Sequence, residues 1–188
     1  MPTILETMAR KKSSNRQKNR SRRPLWVFGG AAFAVTVIFL GIVYFGPWKK
    51  IPGENFRSQG NVHIELGQEH PFYNSSPPTS GWHTPEVNSW GSFDYIIPDE
   101  RLVHNMEDGG VILWYSFGTP EENMVNIASL ETVTKGYRRV IIVPREGMPT
   151  RYALTAWQHL ERFDTIDQQK MRRFVEAFEG IDHHVRRP

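Results

Sequence analysis

One uninterrupted apolar run, Pro24 to Trp48, constrains this chain more than any other feature: no charged residue lies between Arg23 and Lys49. The 24 residues from Leu25 to Trp48 would extend roughly 36 Å as a helix, more than the ~30 Å a hydrocarbon core requires. A cleaved signal peptide carries a shorter apolar core and a small-residue cleavage site. Here the run ends in Gly46-Pro47-Trp48-Lys49-Lys50 instead. Trp26 and Trp48 mark its two ends, with Tyr44 nearby, as interfacial aromatics do. The expectation is one transmembrane helix over residues 24–48, with the lipid bilayer as a partner.

Orientation follows from the distribution of Lys and Arg. Residues 1–23 hold eight basic side chains against one acid, Glu6, whereas Lys49, Lys50 and Arg57 are the basic residues just beyond the span. That asymmetry predicts a cytoplasmic amino terminus and an extracytoplasmic carboxy-terminal domain, which in a bacterium means the inner membrane and the periplasm. The formal charge of +3 is therefore a property of the basic tail. The tail lacks aromatics to stack on bases, and topology already accounts for its charge, so no nucleic-acid partner is expected. With no cysteine in the chain, disulfides, thiolate nucleophiles and thiolate metal sites are excluded.

The segments divide into a basic cytoplasmic tail (1–23), the span (24–48), a linker (49–62), one extracytoplasmic domain (63–180) and a polar tail (181–188). Between Glu69 and Glu100 five prolines alternate with Gly81 and Gly91, with Gly67 just before them, so no regular structure is expected there. The same stretch carries Phe72, Tyr73, Trp82, Trp90, Phe93 and Tyr95, more aromatics than a disordered segment holds. A long ordered loop pinned by aromatic burial is expected. Beyond it, Val111–Phe117 reads as a buried strand. Thr119, Pro120 and Glu122 form a helix start, and that helix should run to about Lys135 and stop at Gly136. Arg139–Val143 is a second strand ended by Pro144, Tyr152–Trp157 a third and Leu160–Phe163 a short fourth. A last helix, capped by Asp164 or Thr165, places Met171, Phe174, Val175 and Phe178 at i, i+3, i+4, i+7. His63–Leu66 is a candidate short strand. The fold class is α/β (or α+β): a small sheet with helices packed on it, an order resembling a thioredoxin-like core without the cysteine pair.

The usual catalytic motifs are absent: no phosphate-cradling loop, no dinucleotide fingerprint, no H-E-x-x-H and no G-x-S-x-G. Ser80 and His83 are close in sequence, but a serine nucleophile needs an oriented base and an oxyanion hole. The histidines are more informative. His63, His70, His83 and His104 all precede the regular core, and a short helix over Arg101–Asp108 would put His104 and Asp108 on one face at i, i+4. An imidazole and a carboxylate so placed can ligate one metal, zinc or copper by donor type, with loop histidines completing the shell. The candidate ligands are His63, His83, His104 and Asp108. The competing reading has His104 hydrogen-bonding Asp108 or a loop carbonyl to hold the loop down. Met106 and Met148 could serve copper as soft ligands or simply pack; His183 and His184 are expected to be solvated.

Three blocks carry a family resemblance: Gln59–His63; Tyr73-Asn74-Ser75-Ser76-Pro77-Pro78-Thr79-Ser80-Gly81 with His83; and Leu102-Val103-His104-Asn105 with Glu107 and Gly109-Gly110-Val111. Val143-Pro144-Arg145 and Ala153–Trp157 continue it. Together they resemble the bacterial membrane-anchored family of the domain of unknown function numbered 3105. The resemblance implies no established activity. The family pattern around the third block usually reads HNLEHGG, so it implies that Asp108 stands here for a second histidine and Met106 for a leucine. The resulting expectation is a non-catalytic, single-span accessory or scaffold subunit docking on a larger membrane protein complex. The alternative is a zinc- or copper-binding extracytoplasmic domain.

Overall fold

In this computed structural model the described residues are 35–39 and 50–184. Residues 35–39 are helical. The rest of the expected membrane span lies outside the described residues, as do the basic tail and the last four positions. Among the described residues no helix is long and apolar enough to cross a membrane. The chain divides into two compact units, Met1–Lys49 and Lys50–Pro188, and the second carries the fold.

Its elements are β1 (Glu54–Asn55), β2 (Gly91–Ser92), α1 (Asp99–Glu107), β3 (Val111–Ser116), α2 (Pro120–Thr134), β4 (Val140–Arg145), β5 (Tyr152–Ala156), β6 (His159–Phe163) and α3 (Gln168–Phe178). Among the described residues they form a small mixed α/β domain on a six-stranded sheet of order β1-β6-β5-β3-β4-β2. β3 runs parallel to β4 and antiparallel to β5, and β5 runs antiparallel to β6.

The apolar runs VILWY of β3 and VIIV of β4 are buried along their whole length because the sheet is covered on both faces. Side chains alternate across a strand, and the two cores separate on that alternation. Val111, Leu113 and Tyr115, with Val140 and Ile142, face Leu130 and Val133 of α2 and Met171, Phe174, Val175 and Phe178 of α3. Ile112 and Trp114, with Ile141 and Val143, face Leu102, Val103 and Met106 of α1. α2 starts as the sequence predicts: Thr119 accepts from the Glu122 N–H while the Glu122 side chain accepts from the Thr119 N–H.

Several expectations are corrected. The last helix is capped at Asp167, whose carboxylate accepts from the Lys170 N–H, rather than at Asp164 or Thr165. Pro144 lies inside β4, opposite Tyr115. Alternation explains why it is tolerated. The carbonyls of Arg139 and Arg145 accept from β3 neighbours, Val111 and Phe117, whereas that of Ile142 accepts from Phe93 on the other side. Pro144 points the same way as Ile142, toward an edge where β2 has already ended, so no ladder donor is lost. The expected linker 49–62 holds β1, which pairs with β6, and Phe56 packs against the α1 core. Finally, the long loop is pinned less by its aromatics than by its small polar residues. Phe72 and Tyr95 are exposed, whereas Thr79, Ser80, His83 and Thr84 are fully buried.

Candidate functional site

The His104-Asn105-Met106-Glu107-Asp108-Gly109-Gly110 block ends α1 and enters β3, and each residue has a distinct task. Met106 turns into the core. Asn105 is buried and clamps the loop, accepting from the Asn88 N–H and donating to the Asn88 carbonyl, both at 2.9 Å. A Cβ on Gly110 would sit 2.5 Å from the Asn105 carbonyl oxygen and 2.6 Å from the Trp90 ring. Gly109 has φ +80°, and a Cβ there would meet the backbone of Ile181 at 2.7 Å. His104 and Glu107, three positions apart, share the remaining face.

Opposite that face, the segment before the long loop and the loop itself each deliver an imidazole. His63 and His83 form an isolated parallel bridge, closed by Ile64 N–H to the His83 carbonyl at 2.9 Å and His83 N–H to the Val62 carbonyl at 3.0 Å. The buried turn Thr79-Ser80-Gly81 orients the second of them. Gly81 brings its backbone against the Tyr73 ring, where a Cβ would lie at 2.9 Å, and its carbonyl accepts from His83 Nδ1 at 2.7 Å. The rings of His63, His83 and His104 lie 4.9–5.1 Å apart between centroids.

The result is a four-residue cluster, His63, His83, His104 and Glu107, whose potential ligand atoms all lie within 4.8 Å of one another. His83, His104 and Glu107 are buried; the His63 side chain is 46% exposed and forms the open side. Orientation is fixed from behind. A carbonyl oxygen can only accept, so His83 donates Nδ1–H to Gly81 and His104 donates Nδ1–H to Thr84 at 2.7 Å. Each ring then turns its Nε2 inward. Glu107 Oε1 accepts from Asn61 at 2.7 Å, which leaves Oε2 for the cluster. His83 Nε2 lies 2.9 Å and His63 Nε2 3.8 Å from that oxygen. Burial lowers the pKa of His83, with the Gly81 hydrogen bond and the Glu107 charge acting in the other direction. The α1 carboxy terminus also favours positive charge nearby.

The sequence-predicted ligands thus divide. His63, His83 and His104 come together; Asp108 does not join them, and Glu107 takes the fourth place. Asp108 falls instead in an outer group with His104 and His184. The physical reason is the helix end: position i+3 stays on the buried face, whereas Asp108 is the C-cap residue and lies on the rim. His104 does not hydrogen-bond the Asp108 side chain; it bonds Thr84, so the loop-carbonyl version of the structural reading describes its Nδ1 side. Glu107 is not among the ligands named from the sequence; the signal that could have found it is its place in the HNxExGG block, at i+3 from His104. His184 carried no signal, since its position depends on backbone packing at Gly109. His183 is also ordered, stacked on Trp157 at 5.9 Å, and burial lowers its pKa. His70 lies elsewhere, 3.5 Å from Glu100. Met106 and Met148 both belong to the α1-side core. Ser80 and His83 do not pair: the Ser80 hydroxyl accepts from the Gln59 N–H, while His83 turns Nδ1 to the Gly81 carbonyl and Nε2 to Glu107.

Fold and site together define a small mixed α/β domain with a three-histidine, one-glutamate cluster, open on its His63 side, at the end of its first helix. The chain belongs to the family described as protein of unknown function (DUF3105), which matches residues 64–185, more than half of its length. No curated protein and no solved structure matches it significantly.

Proposed function

We propose that this chain is a membrane-anchored, transition-metal-binding domain, with the ion held by His63, His83, His104 and Glu107. The observation that carries the reading is the approach of His83 Nε2 to Glu107 Oε2 at 2.9 Å. His83 Nδ1–H is spent on Gly81, so it is Nε2 that faces the carboxylate oxygen. Two acceptors at that separation repel unless a positive species lies between or beside them. Burial works against the doubly protonated ring, and a metal cation satisfies both atoms. The backbone-carbonyl and Asn61 contacts resemble the outer hydrogen bonds that orient metal ligands and fix the imidazole tautomer.

Donor type narrows the ion. Three imidazoles and a carboxylate suit zinc(II) or copper(II); copper(I) prefers soft sulfur ligands, and Met106 and Met148 are packed in the α1-side core. A bound zinc would act as a Lewis acid toward whatever reaches it past exposed His63. The full chain, purified and equilibrated with zinc(II), should retain about one ion per chain, and His104→Ala or His83→Ala should lose it. Absence of stoichiometric metal in the wild-type chain would refute the reading.

The anchor rests on the 24–48 run and the eight-to-three basic asymmetry. A reporter active only outside the cytoplasm, fused to Pro188, should be active. The strand order β6-β5-β3-β4, with β3 and β4 parallel, supports a thioredoxin-like core without the cysteine pair. One observation favours a second role, docking on a larger membrane protein complex: Phe117, Met124 and Val125 are 45%, 63% and 65% exposed at the start of α2. Val125→Asp should then abolish co-purification of larger subunits in mild detergent.

A further inference from the structure

We infer that the carboxy-terminal tail supplies a further ligand to the same ion: His184 closes the open side of the cluster and sets how fast metal enters and leaves. This inference rests on the metal reading above. The tail follows a fixed course. Gly180 donates its N–H to the Gly109 carbonyl at 2.8 Å, and His183 donates its N–H to the Glu107 carbonyl at 2.9 Å. These bonds straddle the end of α1, beside the ligand it carries. Gly109 is what allows so close a passage, since any Cβ there would meet the tail backbone at Gly180 and Ile181. His183 then stacks on Trp157, and His184 is delivered over the cluster, its ring 6.0 Å from that of His104.

The two edges of the His184 ring face different groups. Nδ1 lies 2.8 Å from Asp182 Oδ1 and 3.7 Å from Asp108 Oδ1. Nε2 lies 3.6 Å from Glu107 Oε2, the oxygen that also faces His63 and His83. A carboxylate on Nδ1 holds the proton there and turns the Nε2 lone pair toward the site, the arrangement by which outer carboxylates orient metal-bound imidazoles. The outer group of His104, Asp108 and His184 is not an independent second site on this argument. His104 has only Nε2 to offer, because its Nδ1–H is committed to Thr84, so one nitrogen cannot serve two separate ions. The outer group instead marks the route by which a single ion reaches or leaves the inner cluster, with Asp108 on its rim. The family match runs to residue 185, so the tail lies within the domain that the family shares.

The two kinds of ligand should behave differently. Inner residues hold the ion against both burial and backbone constraint; a ligand on a half-exposed tail contributes chiefly to residence time. The test uses the full chain loaded with zinc(II), and separately with cobalt(II), whose visible absorption strengthens as coordination number falls. His184→Ala and Asp182→Ala should keep about one ion per chain but release zinc to a chromogenic chelator roughly 10–100-fold faster, the size of effect that losing an outer partner of a metal ligand has on metal affinity. His184→Ala should also intensify the cobalt band, which a merely structural tail contact would not do. Gly109→Ala, which displaces the tail without removing any ligand, should reproduce the faster release. Unchanged release in His184→Ala, or an unchanged cobalt spectrum, overturns the inference while leaving the inner site standing. Two ions per wild-type chain overturn it as well, by making the outer group a site of its own. If the wild-type chain binds none, the metal reading itself fails, and that outcome is distinct from the others.

Discussion

Removing the Asn105 side chain should destabilise the domain by a readily measured amount. Asn105 is fully buried, and both ends of its amide are spent on one main-chain residue of the long loop, at 2.9 Å each. In Asn105→Ala the Asn88 N–H and carbonyl lose these partners, and water reaches them only in part because Asn88 is half-buried. Two hydrogen bonds at about 1–1.5 kcal/mol each give a loss of roughly 2–3 kcal/mol. For a domain of this size that corresponds to a fall in Tm of about 6–15 °C. The control is Asn88→Ala. Asn88 joins the clamp through its backbone, and its own side chain reaches only the Ser89 carbonyl in an exposed setting, so the change should be within about 0.5 kcal/mol of neutral. Urea and thermal melts of the full chain, monitored by tryptophan fluorescence, measure both variants. A loss below about 0.5 kcal/mol in Asn105→Ala, or equal losses in the two variants, would show that the loop is held by something other than this clamp.

Three further outcomes follow from the packing and the caps. Phe174 is fully buried between α3 and the sheet, so Phe174→Ala should destabilise by about 3–5 kcal/mol in denaturant melts. Thr119→Ala removes one half of the capping box on α2 and should cost about 1 kcal/mol; an unchanged midpoint would mean that the helix start is held by packing alone. Burial pushes the Tyr115 phenol up to about 12, while in the unfolded chain it ionises near 10. A raised folded pKa contributes stability that is complete below pH 10 and is lost as pH climbs toward 12. Tyr115→Phe should therefore show a smaller fall in stability than wild type across that window, measured by urea melts at stepped alkaline pH.

The regular half of the fold was legible in the sequence because its signals are local. The VILWYSF run, the T-P-E-E helix start and the four apolar positions of α3 each depend on neighbours within a few residues, and all three elements form, α3 from a later cap, Asp167, than expected. The bridge between His63 and His83 spans twenty positions of a proline-rich loop without periodicity, so no pattern announced it. Three of the four clustered residues could be named as histidines that precede the core. The fourth required knowing where α1 ends: one residue later and Asp108, not Glu107, would face the loop. Likewise 51–62 reads as a linker because β1 is only two residues long, too short to leave an alternation. The His184 position is set by main-chain contact at Gly109, and side-chain chemistry carries no trace of that.

Pro144 has a consequence beyond tolerating its place in β4. An unpaired strand edge invites another chain to add to the sheet, and natural sheets blunt such edges with very short strands, charge or proline. Here β2 covers only Ile141 and Ile142, and just past that cover the outward-facing position is Pro144, which has no N–H to offer an incoming strand. At the far edge β1 is two exposed residues long, one of them Glu54. Neither margin is a template for strand addition. Copies of this domain crowded together would therefore have to meet through side-chain surfaces, and the sheet itself would resist growing into a polymer.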